Sequence, residues 1–195
     1  RRKSTYCRLI MEKWGDKPYH SLDYENKKRF GEKVYKISLA GGTTCPNRDG
    51  TLDTRGCCFC SGSGSGDFAA TKGSITEQIE EAIARVSRYK NAGHHFTAYF
   101  QSFTATYAPV ETLRAAWEEA MAHESVVTLA IATRPDCLGD DILSLLANCR
   151  KKMPVTVELG LQTIHPDTIR YIRRGYPNSV YETAVKNLKN IGVYV

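Results

Sequence analysis

The stretch VYKISLAGGTTCPNRDGTLDTRGCCFC, residues 34–60, joins a predicted strand to a cysteine-rich loop. Residues 34–39 alternate between apolar and polar side chains, which predicts a strand with one buried face. A glycine pair ends this strand, and the loop that follows carries Cys45, Cys57 and Cys60. We therefore expect the three cysteines at the C-terminal end of the first strand.

The spacing of these cysteines predicts a metal site with three thiolate ligands. Two residues separate Cys57 from Cys60, so one turn of chain can offer both sulfurs to one metal ion or to neighbouring irons. A closed structural zinc site needs four ligands, and the sequence has no second Cys-x-x-Cys or Cys/His pair at zinc-finger spacing. The three ligands Cys45, Cys57 and Cys60 suit a 4Fe-4S cluster that keeps one iron open for a substrate or cofactor.

Cys58 leaves an alternative ligand set open, namely Cys45, Cys58 and Cys60. We favour Cys57, because a single residue between two ligands strains the loop more than two residues do, and Cys58 is then a bystander thiol. A fourth thiolate from Cys58 would instead fill the cluster and indicate an electron carrier. Elsewhere, Cys149 falls on the apolar face of a predicted helix, which favours a core position.

The composition predicts one globular domain in a reducing compartment. The chain has 195 residues, 42% of them hydrophobic, which is enough for one domain with its own core. Seven cysteines is an odd number, and four of them lie within one short stretch, which suits a metal site better than a disulfide framework. No run approaches the roughly 18 apolar residues of a membrane span, and no apolar signal core follows the start. We therefore predict a cytoplasmic protein without a membrane segment.

Many of the positive charges lie near the start of the chain, whose formal net charge is +6. Residues 1–33 are predicted to form a basic N-terminal extension packed on a core that occupies residues 34–195. Basic faces of this kind attract phosphate backbones, and the alternative is an ordinary solvated surface. Charge alone does not establish a nucleic-acid partner.

Beyond the cysteine loop, predicted helices and strands alternate. Capping boxes at Ser74-Ile75-Thr76-Glu77 and at Ser179-Val180-Tyr181-Glu182 open two helices. The other predicted elements are strands at 96–100, 126–132 and 155–161, helices that begin near Pro109 and Pro166, a helix capped by Asp140, and a fifth strand that opens at 193–195. This alternation predicts an α/β fold with a parallel sheet.

The chain begins without Met and stops at Val195, inside a predicted buried strand. We therefore expect it to be a piece of a longer protein, truncated within strand five. Further βα units are expected beyond that strand.

Residues 61–66 read Ser-Gly-Ser-Gly-Ser-Gly, a composition typical of a flexible linker. The tract directly follows Cys60 and precedes the first βα helix. We therefore favour a backbone-rich loop packed near a cofactor over a linker.

Together, the motifs resemble the YhcC/YtqA subgroup of the radical S-adenosylmethionine (radical SAM) proteins. The resemblance is carried by Gly-Gly-Thr-Thr-Cys45-Pro-Asn-Arg-Asp-Gly, by the Cys57-x-x-Cys60 closure, and by Gly-Ser-Gly-Asp-Phe-Ala at 64–69. The rest of the chain resembles the wider branch that contains the Elongator catalytic subunit, through Thr-Arg-Pro-Asp at 133–136 and Glu-Leu-Gly-Leu-Gln at 158–162. The wide gap between the first two cysteines belongs to the resembled subgroup.

This resemblance implies a partial (β/α) radical SAM barrel with parallel strands. It also implies that the open iron chelates the amino and carboxylate groups of SAM, and that an electron entering the cluster cleaves SAM to a 5′-deoxyadenosyl radical. The cofactor carries the difficult chemistry, while the protein supplies three thiolates, an oriented SAM and exclusion of water. The expected partner is an electron donor such as flavodoxin or ferredoxin.

The resemblance also assigns cofactor contacts. Phe59 corresponds to the aromatic residue beside the adenine, and Gln162 and Arg174 match polar residues that reach SAM from strand four and the following helix. Glu158 shares the face of Gln162, and it is either a further cofactor contact or part of an ion pair inside the barrel. Gln101 is a candidate because the Gly-Gly-Glu that usually closes strand two reads Gln-Ser-Phe here.

The leading hypothesis is therefore a radical SAM enzyme that modifies a tRNA, at its wobble uridine, on the grounds of the Elongator-like resemblance and the positive charge. Three arginines with two nearby tyrosine rings form either an RNA-contacting edge or a solvated helix face: Arg170, Arg173, Arg174, Tyr171 and Tyr176. We favour the solvated face for all of them except Arg174. One rival is a zinc-stabilised βα module that binds RNA or protein without catalysis, and another is an iron-sulfur electron carrier. Fold alone does not decide between them.

Overall fold

Residues 13–195, which the computed structural model describes, fold around a four-stranded parallel sheet. Strands β1 to β4 are neighbours in chain order and comprise Tyr35–Leu39, Phe96–Phe100, Val126–Thr133 and Val155–Leu159. Helices α1 to α6 comprise Leu22–Phe30, Ile75–Tyr89, Val110–Ala122, Asp140–Lys152, Pro166–Tyr171 and Asn178–Asn190, and a 3-10 turn covers Pro135–Cys137. Within this described range, no helix is long and apolar enough to cross a membrane. Residues 1–12, which hold Cys7 and the first part of the predicted extension, lie outside it.

The apolar face of the sheet forms the core with helices α2, α3 and α4. Leu39, Phe100, Ile131 and Val157 come one from each strand, and each is at most 1% exposed. They belong to one cluster with Trp117 of α3. Side chains of a strand point alternately to opposite faces, so the apolar residues of the alternating pattern all lie on this face. Burial of each such side chain contributes about 1.5–3 kcal/mol.

The opposite face of the sheet is polar. Lys36, Thr97 and Thr128 lie side by side on β1, β2 and β3, and the two threonine hydroxyls are 2.6 Å apart. Glu158 of β4 faces the same way, since its carboxylate pairs with the Lys36 ammonium. A cavity of about 560 Å³ separates this face from α1. In a barrel this face lines the interior, so its residues are the ones placed to meet a ligand.

A fifth parallel strand opens beside β4. The Val157 amide donates to the Tyr194 carbonyl at 2.8 Å, and the Tyr194 amide donates to the Val155 carbonyl at 3.1 Å. The strands therefore run in sequential order, as in a (β/α) barrel. The predicted α/β class, its parallel strands and the start of strand five at 193–195 are confirmed.

Helix α1 was absent from the prediction. It begins after Ser21, whose hydroxyl accepts a hydrogen bond from the Tyr24 amide at 3.1 Å, and it ends at Gly31, whose φ is +78°. Asn26 is its one buried residue, so the helix lacks the apolar stripe by which helices are recognised in a sequence. The adjoining Glu32 carboxylate accepts hydrogen bonds from the His94 and His95 amides, which ties the segment to the start of β2.

The predicted helix starts are partly correct. The capping box at Ser74 and Glu77 is confirmed, with both of its hydrogen bonds present. The second capping box is wrong, because α6 already begins at Asn178 and has no side-chain cap. The prediction that Asp140 caps α4 is also wrong, since Gly139 occupies the cap position and Asp140 lies in the first turn.

Candidate functional site

A cavity of about 330 Å³ lies at the C-terminal ends of the strands, and Cys45, Cys57 and Cys60 all line it. Its wall also contains every residue that was predicted to contact a cofactor, namely Phe59, Gln101, Glu158, Gln162 and Arg174. These residues come from the cysteine loop, the end of β2, β4 and the segments after β4. The fold thus brings together residues that are up to 129 positions apart, from 45 to 174.

Two arginine side chains donate hydrogen bonds to backbone carbonyls of the cysteine loop. Arg48 donates from Nη2 to the carbonyls of Cys60 and Ser61, at 3.2 and 2.5 Å. Arg173 donates from Nε to the carbonyl of Gly56 at 2.8 Å. A side chain at position 56 would meet the Arg48 guanidinium at 2.9 Å, so glycine there lets the two parts of the loop pack closely. Arg48 was not predicted as a site residue, although it lies in the quoted cysteine motif, and Arg173 was predicted only as a candidate for the RNA-contacting edge.

Cys57 and Cys58 occupy different environments. Cys57 is half-buried and lines the cavity, whereas Cys58 is exposed and is not part of its wall. Burial raises the pKa of the Cys57 thiol, and a hydrogen bond from Asn47 and the positive charge of Arg134 oppose that rise. The structure therefore favours Cys57 over Cys58 as the partner of Cys45 and Cys60. The described cysteines are all free thiols, and Cys149 is buried in the core as predicted.

Arg134 places a buried positive charge at the cavity. Its guanidinium is paired with the Asp136 carboxylate through Nε and Nη2, at 3.0 and 2.7 Å. The guanidinium also lies over the Tyr176 ring, 5.0 Å from the centroid, at a distance typical of a cation–π contact. These residues were quoted only as part of a motif, because nothing in the local sequence says that the Thr-Arg-Pro-Asp segment turns towards the cysteines.

Arg174 lines the cavity and makes an extensive set of internal hydrogen bonds. It is 1% exposed, and its Nε, Nη1 and Nη2 atoms donate five hydrogen bonds, to the carbonyls of Leu161, Thr163 and Tyr176 and to the Asn178 side chain. An arginine has five N–H donors, so every donor has an internal partner. These hydrogen bonds fix the segment after β4, and the contact of Arg174 with SAM stays a prediction.

The predicted contacts Gln101, Glu158 and Gln162 lie around the cavity with polar atoms directed to neighbours. Gln101 donates to the Ser65 carbonyl at 2.6 Å, and Gln162, at a φ of +57°, accepts from the Tyr176 hydroxyl at 3.3 Å. Their contact with SAM stays a prediction, as does that of Phe59, whose ring is 55% exposed.

Glu158 forms the interior ion pair that was one of its two predicted roles. Its carboxylate pairs with Lys36 and accepts a hydrogen bond from the Tyr99 hydroxyl at 2.7 Å. Burial opposes ionisation of Glu158, but the hydrogen bonds from Lys36 and Tyr99 outweigh it and lower the pKa of the carboxyl group. Glu158 is thus an anion at neutral pH, set between the cysteine cavity and the cavity beneath α1.

The Ser-Gly tract, residues 61–66, is a packed loop and not a linker. The Phe103 amide donates to the Gly64 carbonyl at 2.9 Å, and Gly64 and Ser65 line the cavity. A methyl group on Gly64 would overlap the Phe103 ring and come within 2.7 Å of its backbone nitrogen. The predicted backbone-rich loop near the site is confirmed.

Gly64→Ala is expected to destabilise the protein by about 1–3 kcal/mol, since it combines a positive φ of +64° with overlap against Phe103. Gly62→Ala is the matched control, because an added methyl group there meets nothing within 4 Å. Urea-induced unfolding of both variants measures the difference. Equal stability of the two variants would mean that the tract behaves as a linker.

A parallel sheet with three cysteines after its first strand is the arrangement that the sequence predicted for a radical SAM core. The chain belongs to the radical SAM superfamily, whose family model matches residues 45–195. The resemblance to the YhcC/YtqA subgroup is confirmed by curated relatives. The chain is 43% identical to the uncharacterized protein YtqA of Bacillus subtilis over 186 residues, which is 92% of this chain and 56% of YtqA. It is 38% identical to the protein YhcC of Escherichia coli over 169 residues, which is 86% of this chain and 53% of YhcC. The chain thus spans about half the length of these relatives.

Solved structures show the same fold. The archaeal Methanocaldococcus infernus Elp3 superposes with a TM-score of 0.53 and 16% identity, over 82% of this chain and 36% of Elp3. The cobalamin-dependent SAM radical enzyme OxsB superposes with a TM-score of 0.53 and 13% identity, over 80% of this chain and 22% of OxsB. At these identities the likeness supports the partial radical SAM barrel and nothing finer.

Proposed function

We propose that this protein is a radical SAM enzyme that holds a 4Fe-4S cluster through Cys45, Cys57 and Cys60 and reductively cleaves SAM. The observation that carries the proposal is that these three thiols line one cavity at the C-terminal ends of parallel strands. Active sites of barrel enzymes lie at that end. Superfamily membership supports the same chemistry.

The donor set suits a cluster with one open iron. Each cysteine of such a cluster binds a different iron, so the three sulfurs need to surround a space and not to converge on one point. Cys45, Cys57 and Cys60 all line the same cavity, which meets this requirement. Among residues 13–195, no three His, Cys, Asp or Glu side chains are grouped to hold a single metal ion.

The surrounding side chains are suited to orient SAM. A cluster held by the three cysteines would supply one electron for reductive cleavage of the C–S bond of SAM, which would give methionine and the deoxyadenosyl radical. Phe59 offers an exposed aromatic ring to the adenine. The amides of Gln101 and Gln162 offer donors and acceptors to the polar groups of SAM, and anionic Glu158 can attract its amino group.

For the substrate we propose a tRNA, with the wobble uridine as the modified base. The net charge of +6 supports an anionic polymer. An edge formed by α5 supports it too, since Arg170 and Tyr171 are 73% and 78% exposed. Cations beside exposed aromatic rings suit contacts with phosphates and unstacked bases. A low-potential donor such as flavodoxin or ferredoxin would supply the electron.

The proposal is tested by anaerobic reconstitution with iron and sulfide, followed by reduction and addition of SAM. We expect formation of 5′-deoxyadenosine and methionine, and its loss in a Cys45→Ala, Cys57→Ala, Cys60→Ala triple variant. Stoichiometric zinc without a cluster would support the non-catalytic βα module instead.

A further inference from the structure

Asn47 contacts Cys57, one of the three proposed cluster ligands. Its side chain is 1% exposed, and its amide nitrogen Nδ2 is 3.3 Å from the Cys57 sulfur. The same nitrogen is 2.7 Å from the carbonyl oxygen of Arg173. A buried amide with two partners is held in one orientation, so its contact with the sulfur is built into the fold.

The Arg173 carbonyl shows which atom of the Asn47 side chain faces the Cys57 sulfur. A carbonyl oxygen only accepts hydrogen bonds, so the atom that faces Arg173 must be the NH₂ group of Asn47 and not its oxygen. That group has two hydrogens, one for the Arg173 carbonyl and one for the Cys57 sulfur. A cysteine bound to iron is a thiolate and can only accept, which suits this donor.

We propose that Asn47 sets the reduction potential of the cluster by donating an N–H···S hydrogen bond to the Cys57 thiolate. The inference rests on the proposed function, since it requires the cluster. Reduction adds one electron and makes the cluster more negative, and a donor at a ligand sulfur stabilises that charge. Asn47 thereby keeps the cluster within reach of its one-electron donor. It is a positioning residue, because it acts through Cys57.

The positive charge of Arg134 supports the same effect. Arg134 is 8% exposed and shares the cavity with Cys57, and its Nη2 atom and the Asn47 oxygen both lie beside Gly175, within 3.4 and 3.2 Å of where a methyl group would sit. The paired Asp136 offsets part of the Arg134 charge. The amide of Asn47 is uncharged and contacts the sulfur directly, so we test its effect on the reduction potential.

The test is a redox titration of the reconstituted protein, followed by electron paramagnetic resonance of the reduced cluster. Asn47→Asp keeps the side-chain shape, removes the donor and adds a negative charge. At the potential that half-reduces the unchanged protein, we expect the ratio of reduced to oxidised cluster to fall about tenfold, which corresponds to about 59 mV for one electron. Asn190→Asp, the same change at an exposed position of α6, should leave the ratio unchanged.

A second measurement uses the unchanged protein, so its result does not depend on whether a variant folds. Pulsed electron paramagnetic resonance of protein labelled with ¹⁵N-asparagine should detect one weakly coupled side-chain nitrogen. A loaded cluster with no such coupling, or with an unchanged potential in Asn47→Asp, overturns the inference and leaves the proposed function standing. An unchanged protein that binds no cluster overturns the proposed function, and the inference falls with it.

Discussion

Cys57→Ala is expected to abolish stable binding of the 4Fe-4S cluster, whereas Cys58→Ala should leave it intact. The two cysteines are adjacent in sequence, but Cys57 lines the cavity with Cys45 and Cys60, and Cys58 is exposed outside its wall. With Cys57 removed, two thiolates remain, and the cluster loses the ligand that Asn47 orients.

Iron and sulfide analysis after anaerobic reconstitution measures this difference. About four irons per chain are expected for the unchanged protein and for Cys58→Ala, and close to none for Cys57→Ala. Loss of the cluster in Cys58→Ala with retention in Cys57→Ala would establish the alternative ligand set. Loss in both would indicate that Cys58 is a fourth ligand, as in an electron carrier.

Arg174→Met is expected to lower the free energy of unfolding by about 3 kcal/mol or more. The change removes all five hydrogen bonds of a guanidinium that is 1% exposed. Each buried acceptor left without a donor costs about 1–3 kcal/mol. The carbonyls of Thr163 and Tyr176 lose their donors, while the Leu161 carbonyl keeps its hydrogen bond from the Thr163 amide at 2.7 Å. The contact between the guanidinium and the Tyr176 ring, 4.5 Å from the centroid, is lost as well.

Arg170→Met is the matched control, since the exposed Arg170 pairs only with Asp167 one turn earlier on α5. Exposed pairs of this kind contribute little, so its stability should stay close to that of the unchanged protein. Urea-induced unfolding of both variants measures the difference in their free energies of unfolding. Normal stability of Arg174→Met together with weakened SAM binding would indicate that Arg174 contacts SAM directly and is not needed for stability.

The sheet could be predicted because local patterns determine its strands. Alternation at 34–39 and the apolar runs at 96–100 and 126–132 correspond to β1, β2 and β3 within one residue at each end. Strand β4 ends at Leu159, two residues before the predicted end. Helix α1 escaped prediction because packing and two caps define it, without an apolar stripe.

The candidate site was predictable only in part. The three cysteines and the residues around them were identified from motifs, and the cavity contains them all. The internal partners of Arg174 and the Asn47 contact were not, because they depend on long-range packing: Asn47 and Arg173 are 126 positions apart. Spacing indicates which residues can bind iron, whereas hydrogen bonds that orient those ligands appear only once the βα units are assembled.

Three cysteine ligands are expected to leave one iron of the cluster open to SAM. The most direct measurement is electron paramagnetic resonance of the reduced, reconstituted protein before and after addition of SAM labelled with ¹⁵N in its amino group. We expect SAM to change the cluster spectrum and the labelled nitrogen to couple to it. A fully occupied cluster whose spectrum does not change when SAM is added would contradict an open iron.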